Sequence, residues 1–257
     1  MRKLVVPLAL VASASVSASA SAQQAAAPTP PPLTGNITLA SEYRFRGIDQ
    51  TFGKPAIQGG FDYTHASGIY LGNWNSNVSS GAGYPHGNIE MDFYGGYKRA
   101  FGDIGADVGF IYYAYPGTSP KIDNKEIYIG ASWKFLAAKF FYAIDDYFSA
   151  PDTKGTTYLD LAANYDLGRG WGVVAHVGHL NFKHFSDGSY SDWKLGVTKD
   201  LSGWLLGAAY VGTNSKGNCS SGEFYCVPQT LPSDVSTRGS LRDAGRSTIV
   251  LSVGKTF

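Results

Sequence analysis

Apolar and polar side chains alternate along most of this chain in stretches of about ten residues, the period of an extended strand whose two faces meet different surroundings. The alternation is cleanest between Asn88 and Arg99, where Ile89, Met91, Phe93 and Tyr97 share one face and Glu90, Asp92, Tyr94 and Lys98 the other. Asn36 to Arg46 sets Ile37, Leu39, Tyr43 and Phe45 against Thr38, Glu42, Arg44 and Arg46; Ala56 to His65 sets Ile57, Phe61 and Tyr63 against Gln58, Gly60 and Asp62. The same reading predicts strands over 69–77, over 104–115 with Asp107 on the polar face, and over 126–134 with Glu126 and Lys134 on the polar face. Others follow at 156–167 with Asp160, and at 190–199 with Asp192 and Lys194. Three more segments, at 138–147, 171–182 and 204–213, are apolar on both sides, and the pattern assigns them no facing.

The final stretch, Gly245 to Phe257, places Ile249, Leu251, Val253 and Phe257 on one side, interrupted by Lys255, and ends on the aromatic. At the edge of a soluble sheet such a strand would invite pairing with other chains. As the closing strand of a barrel in lipid it puts an aromatic in the interfacial girdle, with Lys255 close enough to the interface to snorkel. That makes twelve segments, the even number expected of a single-chain bacterial barrel. The connections alternate long and short, the short ones near Ala66, Ala100, Phe135, Gly168 and Ser202. The predicted fold is all-β: a transmembrane antiparallel up-and-down β-barrel of about 12 strands, with short periplasmic turns and long extracellular loops. A lipocalin-like soluble barrel shares the alternation but turns its apolar face inward.

The ends of the chain agree with export. Residues 1–22 have the form of a signal peptide: Arg2 and Lys3, an apolar run from Leu4 to Val11, and Ala20-Ser21-Ala22 as the cleavage site. Residues 23–34 are a Pro- and Ala-rich leader, which leaves 35–257 for the barrel. Charged residues make up only 16% of the chain and the net charge is +1, which gives no argument for nucleic acid. The two cysteines, Cys219 and Cys226, fall in the long loop before the last strand, and in an exported chain a disulfide is the expected state. Closing this short loop would stabilise by about 2.5 kcal/mol in the chain-entropy model.

Ser41-Glu42-Tyr43-Arg44-Phe45-Arg46-Gly47, Gln58-Gly59-Gly60-Phe61-Asp62-Tyr63, the loop cysteines and the Phe-ended last strand together resemble the TorF porin family of Gram-negative outer-membrane proteins. The resemblance runs over essentially the whole mature chain. It implies an outer-membrane barrel conducting small solutes, embedded in outer-membrane lipid and delivered there by the barrel-assembly machinery through its C-terminal strand.

A barrel of twelve strands lies between the filled eight-stranded and the open sixteen-stranded cases, so its lining decides what passes. The polar faces predict a lumen lined by Glu42, Asp62, Glu90, Asp92, Asp107, Glu126, Asp160 and Asp192 against Arg44, Arg46, Lys98, Lys134 and Lys194. Arg44 and Arg46 either narrow and bias the passage or pair with lumen carboxylates and stiffen the wall. Tyr43, Tyr63, Tyr97, Trp133 and Trp193 suit the interfacial girdles. His176 and His179, three apart on a strand, face opposite ways and form no metal pair. No nucleophile elbow, zinc-binding HExxH or phosphate loop is present, so neither enzyme activity nor a cofactor or metal is expected. A non-transporting adhesin or scaffold, or an enzyme built on the barrel, would carry the same pattern.

Overall fold

The computed structural model describes residues 32–228 and 241–257. In chain order the strands are β1 (Leu33–Ala40), β2 (Arg44–Phe45), β3 (Ile48–Asp49), β4 (Ala56–Thr64), β5 (Ile69–Asn77), β6 (Ile89–Phe101), β7 (Ile104–Ala114) and β8 (Asp123–Trp133). They continue as β9 (Leu136–Ala143), β10 (Thr157–Gly168), β11 (Trp171–Asn181), β12 (Tyr190–Leu201), β13 (Trp204–Thr213), β14 (Cys226–Pro228), β15 (Leu241–Asp243) and β16 (Thr248–Thr256). Twelve of them form one closed antiparallel barrel in the order β1-β16-β13-β12-β11-β10-β9-β8-β7-β6-β5-β4, and β4 returns to β1. The expected signal peptide and most of the leader, residues 1–31, lie outside the described residues.

The ring closes where the sequence ends. Asn36 of β1 stands opposite Thr256 of β16, and Gly35 and Phe257 exchange N–H to O bonds of 2.8 and 2.9 Å. β1 begins at Leu33, two residues inside the expected leader, because the Pro32 carbonyl already accepts the Thr64 N–H and extends the ladder with β4. The start of β1, the end of β16 and the short turns share one end of the barrel; the long connections share the other. The disulfide Cys219–Cys226 and the β14–β15 hairpin belong to the long-loop end.

Sidedness is that of a cylinder with a greasy outside. Ile129 is 63% exposed and Leu161 47%, whereas Glu90 is 0% and Glu126 1%. In the last strand Ile249, Leu251 and Phe257 point outward, and Lys255 among them lays its amine 5.1 Å from the centre of the Trp204 ring at the short-turn end. The strands of undecided facing resolve by parity: Phe140 and Tyr142 of β9, Trp171 and Val177 of β11, and Leu206 and Tyr210 of β13 are exposed, while Phe141, Leu180 and Val211 are buried inside.

Gly and Tyr meet repeatedly inside the barrel. Inside the barrel, tyrosines lie flat across glycines of the neighbouring strand: Tyr94 is registered with Gly72, Tyr70 with Gly96 and Tyr128 with Gly109. A Cβ built on Gly72 would enter the Tyr94 ring, and one on Gly109 would meet the Tyr128 phenol. The missing side chain makes room for the ring, and the ring covers the bare backbone. Gly72→Val therefore overpacks this layer and costs about 1–3 kcal/mol. In a Tyr94→Ala background most of that cost disappears, so a double-mutant cycle by denaturant unfolding in lipid vesicles gives a coupling above about 1 kcal/mol.

Candidate functional site

The wall of the barrel does not carry all the residues its alternation promised. β1 ends at Ala40, where Ser41 takes over the ladder: its N–H donates to the Leu251 carbonyl (2.8 Å) and its hydroxyl accepts from Leu251 N–H (3.0 Å). The chain then turns inward. Arg44–Phe45 and Ile48–Asp49 pair as a miniature hairpin inside the lumen. Its tip, Arg46-Gly47, has φ of 48° and 79°, positive at both central positions as a type I′ turn requires. Gly47 also lies so close to Thr213 and Asp192 that no side chain fits there.

This corrects the expected single strand from Asn36 to Arg46 with Tyr43 and Phe45 in lipid. Both rings are buried inside: Tyr43 meets Trp74 edge to face, Phe45 meets Tyr113, and neither belongs to a girdle. Tyr63, Tyr97 and Trp133 do face outward. Lys134, expected in the lumen, sits exposed in the short turn after β8 with its amine over the Trp133 ring; its parity is right but the strand has already ended.

The hairpin is stitched to the wall in several directions. Arg46 reaches across the lumen to Glu126 on β8, donating from Nη1 to Oε1 (2.9 Å) and from Nη2 to Oε2 (2.7 Å). β4 to β7 separate β1 from β8 on the shorter path round the ring, so the hairpin and this fork together link β1 to a strand well round the barrel. Nη1 also donates to the Tyr147 hydroxyl (3.0 Å), the guanidinium lies 4.2 Å from the centre of the Tyr158 ring, and the Tyr190 hydroxyl donates to the Arg46 carbonyl (2.8 Å). Tyr43 donates to Glu90 on β6 (3.0 Å). On the β16 side, Arg44 bonds Glu42 (3.0 Å) and the Ala244 carbonyl (2.9 Å), and Arg246 closes the cluster onto Glu42 (3.0 Å) and Asp49 (2.9 Å). Both Arg44 and Arg46 are thus paired with carboxylates.

The remaining sequence-derived lining residues lie along the inner wall in separate groups. Asp107 holds Lys139 (2.9 Å) and accepts from Tyr70 (2.7 Å), which also bonds Tyr128; Lys98 stands opposite Asp107 in register. Asp62 accepts from Tyr94 (2.6 Å). Asp92, next to Glu90 along the inner face of β6, is fully buried. Asp160 and Asp192 flank His176, at 3.0 Å from Nδ1 and 2.6 Å from Nε2, with Lys194 opposite His176 in register and Tyr158 donating to Asp192 (2.9 Å). His179 faces out and contacts Ser191. The spacing of the two histidines gave their opposite facing but not the carboxylates beside His176, which arrive from β10 and β12. Beneath the hairpin a cavity of about 70 Å³ remains, bordered by Gln58, Val174, Lys194, Thr198 and Ser252 and roofed by Glu42 and Arg44.

Taken together, the geometry is a charged, tyrosine-lined bore crossed near its long-loop end by a folded-in segment. Solved structures share the barrel. The KdgM porin superposes with a TM-score of 0.53 at 8% identity, over 87% of this chain and 98% of that one. The KdgM porin in complex with disordered oligogalacturonate gives 0.50 at 8%, over 88% and 97%. OccAB4 of Acinetobacter baumannii, at 0.40 and 10% over 79% and 53%, is too distant to argue from. At such identities the likeness is one of fold. Among curated proteins, none matches. Over residues 23–257 the sequence matches the family described as bacterial protein of unknown function (Gcw_chp), and the chain belongs to that family.

Proposed function

We propose that the protein is an outer-membrane channel of a Gram-negative bacterium, passing small hydrophilic solutes through a narrow, charged lumen that the inward hairpin restricts. The observation that carries this is sidedness: a closed ring with Ile129, Leu161 and Ile249 outside and Glu90, Asp107, Lys139 and Glu126 inside. Such a surface suits lipid without and water within. The porin fold of KdgM supports the reading, and so does the TorF-like stretch from Ser41 to Gly47, which forms the restricting hairpin. On this reading residues 1–22 are cleaved during export, the short turns face the periplasm, and the Phe257-ended strand is the handle for barrel assembly. A non-transporting barrel is the second reading, favoured by the buried Arg46–Glu126 pair that ties the hairpin to β8 inside the lumen.

Two measurements test the proposal. Leu161 lies midway along β10 beside Ala138 and Val177, so Leu161→Arg should cost about 2–4 kcal/mol for a charge near the bilayer midplane, read by urea unfolding in phospholipid vesicles. A cost near zero would remove lipid from that face. In planar bilayers the wild type should show small conductance steps, and Arg46→Ala or Glu126→Gln should raise them several-fold. Losing one partner of a buried pair costs about 3–5 kcal/mol, so heat-dependent gel mobility must first show each variant folded. Silence from the wild type and from both folded variants, with no swelling of liposomes in small sugars, would leave the non-transporting barrel.

A further inference from the structure

On the long-loop side of the hairpin lies a second cavity, of about 250 Å³, separate from the lumen beneath. Its floor is the hairpin itself, through Phe45, Ile48 and Gln50, and its walls come from Tyr147, Phe148 and Phe182 among others. The rings brace one another edge to face: Tyr147 with Phe148 at 4.7 Å, Tyr147 with Phe182 at 5.3 Å, and Tyr190 with Tyr225 at 4.9 Å between centroids. Such contacts pack the walls against one another.

Most polar atoms of the lining are already engaged. Tyr190 donates to the Arg46 carbonyl (2.8 Å), Tyr225 to the Gly188 carbonyl (2.5 Å), and Tyr147 accepts from Arg46 (3.0 Å). Tyr84 bonds Gln50 Oε1, and Gln50 Nε2 donates to the Ile48 carbonyl (2.9 Å). Burial pushes the Tyr84 and Tyr147 phenols well above their usual range, so both stay neutral. The pocket therefore presents mainly ring faces and aliphatic carbon, with few polar sites left over. A sugar entering it would strip water from several hydroxyls and find partners for few of them, at a cost of about 1–3 kcal/mol for each left unpaired.

We propose that this pocket is a binding site for a small, planar, apolar molecule of one or two rings. Size sets the scale for this open pocket: a dry cavity of about 150 Å³ accepts benzene, and drug-sized ligands occupy about 300 Å³ or more. A cavity between these fits a fused bicycle such as indole. Because Phe45, Ile48 and Gln50 belong to the hairpin, an occupant braces it in its inward position. Recognition here does not require that solutes cross the barrel.

Indole is the probe, added to the full-length mature protein in lipid nanodiscs with isoleucine methyl groups carbon-13 labelled. The Ile48 methyl signal should shift saturably, while that of outward-facing Ile57 does not. Glucose should move neither. Ala150→Trp, which fills the pocket from its own lining, should weaken indole binding at least tenfold and leave the unfolding temperature within a few degrees. A linear drift of both signals, as from partition into lipid, overturns the site; so does an Ile48 signal that indole leaves unmoved, or one that glucose shifts. The labelled wild type decides by itself if Ala150→Trp does not fold, and no arm reads conductance, so this site and the channel reading fail separately.

Discussion

Every barrel strand has a partner on both sides, and that closure governs the rest of the molecule. With the backbone hydrogen bonds satisfied around the ring, the outer surface has no need of water and can be apolar throughout. Closure also makes parity absolute. A slip of one residue in any strand would turn its whole apolar set into the lumen and its charges outward. Glu90, Asp92 and Glu126 are therefore interior by geometry before they are paired by chemistry, and Gly35 and Phe257 seal the seam on which that geometry depends.

How far the sequence could be read follows from the same rule. β6 is legible because its two faces meet the outside and the lumen over most of its length, so Ile89 and Phe93 separate cleanly from Glu90 and Asp92. β9, β11 and β13 are not, since Phe141, Leu180 and Val211 are apolar residues that face inward. The segment after Ala40 misleads for a subtler reason. A hairpin strand keeps the same period of two as a wall strand, so Tyr43 and Phe45 continue the pattern while the chain leaves the wall. The signal against a continuous strand was Arg46-Gly47, a glycine at the second centre of a type I′ turn. His176 shows a different limit: alternation gives the face of a residue but not the register between strands, and its carboxylates come from strands on either side.

The interior is filled in a way that differs from a water-filled porin. Flat tyrosines over glycines bring bulk into the bore without pushing strands apart, and their hydroxyls reach the carboxylates that the lumen would otherwise have to leave to water. A wall built this way is stiff, because each ring is fixed at one end by stacking and at the other by a hydrogen bond. The charges inside are then held in discrete groups, Asp107 with Lys139 and Asp160 and Asp192 with His176, and do not form a continuous stripe of one sign.

The hairpin is anchored differently from that wall, and the difference bears on what it does. An apolar wedge would be held by burial alone, and pulling it out would expose its carbon to water at about 25 cal/mol for each Å². Here the inner end is held mainly by charge-assisted bonds, from Arg46 to Glu126 and from Arg44 and Arg246 to Glu42 and Asp49. Arg46 and Glu126 are 2% and 1% exposed, so water does not compete for this bond, and loss of either partner leaves the other as a buried, unpaired charge. The aromatic face, Phe45 against Tyr113 and Phe148, adds contacts that do not depend on ionic conditions. The segment thus joins a buried charged tip to an apolar flank, and both ends hold it in the lumen.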